Sequence, residues 1–150
     1  MTSGWRRVLI VAGLVMVVDQ LTKSIVRSSL APGEKRHVFA GVLEIVNTHN
    51  RGVAFGALAG GGAIVAALTG LALGALIVYF VLRMRTPYLW LPVGLLLGGA
   101  LGNLADRARM GSVTDFIDPI LWPAFNVADS CIVIGVLGLL WVLEGATSKS

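Results

Sequence analysis

Five aspartates in this chain could do chemistry: Asp19, Asp106, Asp115, Asp118 and Asp129. Four of the eight acidic residues fall between Gly102 and Asp129, with the amides Asn103 and Asn126 among them. The chemistry open to such a group is that of paired carboxylates. Two close carboxylates do not both ionise readily, so one holds a proton. The ionised member can then activate a water while the protonated one assists the carbonyl or the leaving group. Other chemistries lack parts. Ser112 and Ser130 have no plausible histidine partner for a Ser-His-Asp arrangement, and Cys131 has no base assigned to it. His37 and His49 stand apart and no Cys/His spacing suits a metal, so no metal is expected.

The surroundings of these residues are greasy. Of 150 residues, 56% are hydrophobic and 13% charged, and the mean hydropathy is +0.83. A soluble domain carries about 25% charged residues, so the composition is that of an integral membrane protein. The net charge of +4 fits basic residues flanking membrane helices. No Lys/Arg cluster with interleaved aromatics points to nucleic acid.

Hydropathy predicts an all-α membrane protein: a four-transmembrane-helix bundle with a small extracytoplasmic β-sheet and loop region at the membrane surface. One domain, 1–150, is expected. The expected spans are 8–26, 60–82, 88–106 and 126–144, joined on the outer side by loops 27–59 and 107–125. About 20 residues at 1.5 Å each cross the ~30 Å hydrocarbon core. The stretch after Pro32-Gly33 is rich in Val, Ile, Phe and Thr, which favours strand. By its position this long loop could cover the site and exclude water. Gly70 and Gly74 form a pair that permits close helix packing, and Gly94, Gly98 and Gly102 repeat every four residues on the third span.

Four spans place both termini on one side, with Arg6, Arg7, Arg83, Arg85 and Lys149. Those residues, in short segments next to the helix ends, fit a cytoplasmic side under the positive-inside rule. Lys23, Arg27, Lys35, Arg36, Arg51, Arg107 and Arg109 fall on the other side, where the long loop weakens the rule. Trp5, Trp90 and Trp141 then map to the inner interface and Trp122 to the outer. The polar residues gather at one level near the outer leaflet. Asp19 and Lys23 end the first span, and Asn103, Asp106 and Arg107 end the third. Asn126 and Asp129 begin the fourth, while Asn50 and Asp115 lie in the connections. Costly residues that share one depth build one site. Lys23, four residues after Asp19, is expected to pair with it, either as a structural pair whose lysine snorkels toward the interface or as a pair that shapes the site. Spacing alone does not single out the reacting pair. Arg107 beside Asp106 supplies a counter-charge that keeps Asp106 ionised and structural, which favours Asp115 with Asp129. Asp118 reads as an exposed loop charge.

These residues also lie in five segments that resemble the lipoprotein signal peptidase (signal peptidase II) family across nearly the whole chain. The segments are Asp19-Gln20-Leu21-Thr22-Lys23, Asn50-Arg51-Gly52-Val53-Ala54-Phe55-Gly56, Gly102-Asn103-Leu104-Ala105-Asp106-Arg107, Val113-Thr114-Asp115-Phe116-Ile117 and Phe125-Asn126-Val127-Ala128-Asp129-Ser130. The resemblance implies an aspartic endopeptidase of the bacterial plasma (inner) membrane. Such an enzyme cuts signal peptides from diacylglyceryl-modified prolipoproteins, on the N-terminal side of the lipidated cysteine. It implies Asp115 and Asp129 as catalytic residues, and Asn50, Asn103, Asp106, Arg107, Asn126, Asp19 and Lys23 as binding or supporting ones. It further implies a monomer in contact with membrane lipid, inhibition by globomycin, and no cofactor. The connection from Asp115 to Asp129 is shorter than in many relatives. A small proton-coupled transporter using intramembrane carboxylates is the alternative. Against it, the carboxylates sit at one end of the bundle and no inverted repeat is evident.

Overall fold

The structure is a computed structural model that describes residues 3–39, 41–51, 62–83, 86–119 and 121–147. Among the described residues four helices and three strands follow one another: α1 Ser3–Ser29, β1 Lys35–Phe39, β2 Leu43–Asn50, α2 Gly62–Leu82, α3 Trp90–Met110, β3 Val113–Pro119 and α4 Val127–Thr147. The fold is thus mostly helical with one small antiparallel sheet, ordered β1-β2-β3. Two of the helices, α1 and α4, are long and apolar enough to cross a membrane.

α1 shows how the sequence positions the site. Its buried residues are Val8, Ala12, Val15, Asp19, Lys23 and Val26. They recur every three or four positions and so form one stripe along the helix. The stripe is apolar over its first half and turns ionic at Asp19. α3 behaves alike: Val93 and Leu97 lie early on its buried side, Asn103 and Asp106 late. The opposite faces are apolar too, with Leu14, Leu21 and Ile25 on α1 and Val133 and Leu137 on α4 all exposed. That pattern suits helices solvated by lipid.

Glycines let α3 sit at the centre. A Cβ at Gly98 would lie 2.7 Å from the Ala12 carbonyl oxygen of α1, and one at Gly99 would lie 2.5 Å from the Ala128 carbonyl oxygen of α4. The helices therefore touch backbone to backbone on both sides of α3. Gly99→Ala must push α4 away at the residue next to Asp129. We expect it to lower stability by about 1–3 kcal/mol and to lower cleavage as well. Gly13→Ala, where a Cβ meets nothing within 4 Å, should do neither; thermal unfolding in detergent reads the difference. At Gly70 and Gly74 no described atom lies within 4 Å of an added Cβ.

The sheet also departs from expectation. The connection 107–125 is not all loop. α3 runs on to Met110 and stops where Gly111 adopts a left-handed conformation (φ 69°), its N–H bonding to the Arg107 carbonyl, a common helix ending. The chain then enters β3, which pairs antiparallel with β2. Val26 of α1 and Leu30, the residue just after it ends, pack with Phe116 of β3 and anchor the sheet to the bundle. The short return to α4 is closed by Phe125, whose N–H donates to the Ile117 carbonyl at 2.9 Å and whose carbonyl accepts from Ile117 at 2.8 Å.

Candidate active site

Asn126 and Asp129 open α4 with a reciprocal cap. The Asp129 N–H donates to Asn126 Oδ1 at 2.9 Å, and the Asn126 N–H donates to Asp129 Oδ2 at 3.3 Å. Each side chain satisfies a backbone donor that the helix start leaves free. The Ala128 N–H, between them, is taken by Asp19 Oδ1 at 3.0 Å. Because Asn126 Oδ1 is committed to an N–H, its NH2 must face elsewhere. It faces Asp115, donating to Oδ1 at 2.7 Å. One asparagine thus bonds both aspartates.

Asp115 sits on β3 and is 2% exposed. Its second oxygen, Oδ2, accepts from Asn50 Nδ2 at 3.0 Å, across the β2–β3 pairing. Burial, opposed chiefly by the Asn50 amide, pushes the Asp115 carboxyl up to about 6. The nearby Asp129 charge adds to the rise, and the Asn126 amide and the Lys23 charge oppose it. Asp129 is half-buried, and its Oδ1 accepts from Asn103 Nδ2 at 2.7 Å. So two carboxylates, one deeply buried and one partly open, are each gripped by amide donors.

Behind them lies an ionic cluster. The Lys23 ammonium bonds Asp19 at 2.9 Å, Asp106 at 3.1 Å and Asn103 Oδ1 at 2.9 Å. Lys23, Asp19 and Asp106 are all 0% exposed. Lys23 therefore does not snorkel; it points inward, because two buried carboxylates require a cation within reach. Arg107 is a second correction. The counter-charges of Asp106 are Lys23 and, at 3.7 Å, Arg27. Adjacent residues on a helix do not face each other, and among the described residues the buried Nε of Arg107 has no hydrogen-bond partner. Asp106 Oδ2 also accepts the Thr114 N–H at 3.1 Å, which ties β3 to α3.

The structure thus brings together Asp19, Lys23, Asn50, Asn103, Asp106, Asp115, Asn126 and Asp129. Asp118 stays outside. It is half-buried on a strand, not exposed in a loop, and accepts from Lys35 Nζ at 2.7 Å. It lies three positions beyond Asp115 on the strand, an odd offset, so the two side chains leave opposite faces. Asp118 and then Glu44 raise the Lys35 ammonium pKa. Gln20, Arg27 and Thr114 are members that sequence reasoning missed. Gln20 Nε2 donates to Asp19, to Asp106 and to the Gly102 carbonyl, and Arg27 donates to Thr114 Oγ1 at 3.0 Å. Arg27 was legible, since it lies four residues beyond Lys23 on the stripe of Asp19. Residues 52–56 of the Asn50 segment lie outside the described residues. Among the described residues no three His, Cys, Asp or Glu side chains converge as a metal site.

Comparison with known proteins decides what this arrangement belongs to. The family described as "Signal peptidase (SPase) II" matches residues 11–144. The chain belongs to the signal peptidase II family. The lipoprotein signal peptidase of Moorella thermoacetica is 43% identical over 136 residues, 90% of this chain and 91% of that one. That of Pelotomaculum thermopropionicum is 41% identical over 142 residues, 94% and 93% of the two chains. Two solved bacterial membrane enzymes, each 35% identical, superpose with TM-scores of 0.81 and 0.83. The first covers 91% of both chains, the second 95% of this chain and 90% of its own. As a member of this family the protein is a membrane peptidase, and nothing in these comparisons supports the transporter alternative.

Proposed function

We propose that this signal peptidase II cuts diacylglyceryl-modified prolipoproteins before the lipidated cysteine, with Asp115 and Asp129 as an aspartic pair. The observation that carries this is the grip of Asn50, Asn103 and Asn126 on two carboxylates that share Asn126 as a common partner. In the reactive form of the pair, Asp115, whose carboxyl burial raises, holds the shared proton and Asp129 carries the charge. Asp129 takes a proton from water as the water oxygen bonds to the scissile carbonyl carbon. Asp115 gives its proton to the carbonyl oxygen. In the tetrahedral intermediate that results, Asp129 returns a proton to the leaving nitrogen and the C–N bond breaks. A hydroxyl of the intermediate reprotonates Asp115, and the pair is restored.

The proposed setting is a four-span chain of the plasma membrane with both termini cytoplasmic. The polar ends of α1 and α3 and the start of α4 then lie near the outer leaflet, where a lipid-anchored cysteine presents its bond. β1, β2 and the Asn50 end of the sheet stand over this level and help exclude water. The protein acts as a monomer surrounded by lipid, without metal or cofactor. The test is reconstitution with a diacylglyceryl-cysteine lipobox peptide and mass analysis of the products. A cut on the N-terminal side of the modified cysteine is expected. No cleavage, or a cut elsewhere, contradicts the reading.

The raised Asp115 carboxyl carries a stability consequence. Its folded value near 6 exceeds the ordinary 3.8, so the folded state holds a proton that the unfolded state has released between those values. This contribution to stability is full below about pH 4 and is lost as pH rises to about 6. At neutral pH the ionised side chain is a burden that Asp115→Asn removes. The variant's NH2 meets the Asn50 or Asn126 amide donor at every pH, so we expect its stability relative to the parent to improve by about 1–2 kcal/mol between low and neutral pH while cleavage is lost. Unfolding followed at pH 4.5 and 7.5 checks it: the difference from the parent should move in the variant's favour at the higher pH.

A further inference from the structure

The ionic cluster behind the aspartates does more than balance charge. An amide side chain can sit either way round, and its partners decide which. Asn103 lies between a group that only donates and a group that accepts. Its Oδ1 is 2.9 Å from the Lys23 ammonium and its Nδ2 is 2.7 Å from Asp129 Oδ1. Turned over, it would set NH2 against ammonium and oxygen against carboxylate, two repulsive contacts at once. Lysine has three donors and no acceptor. Lys23 spends its donors on Asp19, Asp106 and Asn103, and it is fully buried. None is left for substrate, so any effect it has on the reaction passes through another side chain.

We infer that Lys23 is a positioning residue for the reaction: its buried ammonium fixes the Asn103 amide so that the NH2 faces Asp129. The inference rests on the aspartic-pair reading above. Asp19 and Asp106 hold the ammonium in place, and Asn126 Nδ2, 3.3 Å from Asn103 Oδ1, reinforces the same orientation. The charged groups of the ionic cluster are Asp19, Lys23 and Arg27 from α1 and Asp106 from α3. Among them only Lys23 touches the amide that bonds Asp129 Oδ1. Arg27 is occupied by Asp106 and Thr114.

The test is steady-state cleavage of the lipidated peptide by the full chain, normalised to folded protein, for Lys23→Met, Asn103→Ala and both together. Losing one oriented donor costs about 100-fold in kcat, so Lys23→Met should lower kcat about 30- to 100-fold with KM within about twofold. In the Asn103→Ala background, Lys23→Met should cost less than about threefold, because coupled neighbours do not add. The same fold-loss in both backgrounds, or a rise in KM with kcat unchanged, overturns the inference. Lys23→Met alone leaves two buried carboxylates short of a cation. The charge-balanced Asp19→Asn/Lys23→Met variant therefore runs alongside, its amide oxygen still able to accept the Ala128 N–H. It should fold and show the same kcat loss; kcat within about threefold of the parent overturns the inference. Asp129→Asn in the same assay separates the two claims. If it still cuts, the aspartic pair is wrong. If it is silent while Lys23→Met cuts normally, only the role of Lys23 falls.

Discussion

Asp129→Asn and Asp115→Asn each reduce kcat on a diacylglyceryl-cysteine peptide by about 10⁴-fold or more, the scale lost when one member of a catalytic unit is removed. KM should change little, since neither carboxylate is proposed to hold the acyl chains or the peptide ends. The two losses have different causes. Asparagine at 129 cannot take the proton of the attacking water. Asparagine at 115 cannot give one to the carbonyl oxygen. Removing both together should cost little more than removing either, because the pair acts as a unit. Steady-state rates on folded protein check this; a variant that retains more than about a tenth of parental kcat is incompatible with the assignment.

Asn126→Ala should show the second largest effect, and a mixed one. The side chain caps α4 through the Asp129 N–H and aims its NH2 at Asp115. Loss of the cap lowers stability by about 1 kcal/mol. Loss of the donor, together with freedom for both aspartates to turn, lowers kcat by about 10²- to 10³-fold. Asn126→Asp separates the two. Its oxygen still caps the helix, but it brings a third carboxylate against Asp115 in place of a donor. Stability should recover partly and kcat should not. Recovery of kcat with Asn126→Asp shows that capping, not donation to Asp115, is the function of this residue.

Much of this was legible in the residues themselves. The buried stripe of α1 that turns ionic at Asp19, and the amides and acids at one level of α3 and α4, follow from helical periodicity and the cost of charge in an apolar setting. What was not legible depends on contacts distant in sequence. β3 lay hidden in a presumed loop, because Val113-Thr114-Asp115-Phe116-Ile117 is short and becomes a strand only by pairing with β2. Asp106 was matched to Arg107 on adjacency, whereas helix geometry turns them apart and brings Lys23 and Arg27 from another helix. Snorkelling was one of two readings of Lys23, because its long stem could reach the interface; the demand of two buried carboxylates draws it inward, as the other reading has it. Asp118 was read as a loop charge, since nothing near it in sequence announces Lys35.

The central claim is a pair of carboxylates that works with one proton between them. It is tested most directly by the pH dependence of kcat/KM on the lipidated peptide, which reports the free enzyme's essential groups. The two limbs belong to the pair, not to either residue alone. With the Asp115 carboxyl raised to about 6, the profile should be bell-shaped and fall above about pH 6–7 as the second proton is lost. A rate that keeps rising through about pH 8–9 requires a group that works deprotonated at high pH, such as a thiolate or an amine, and contradicts the carboxylate pair.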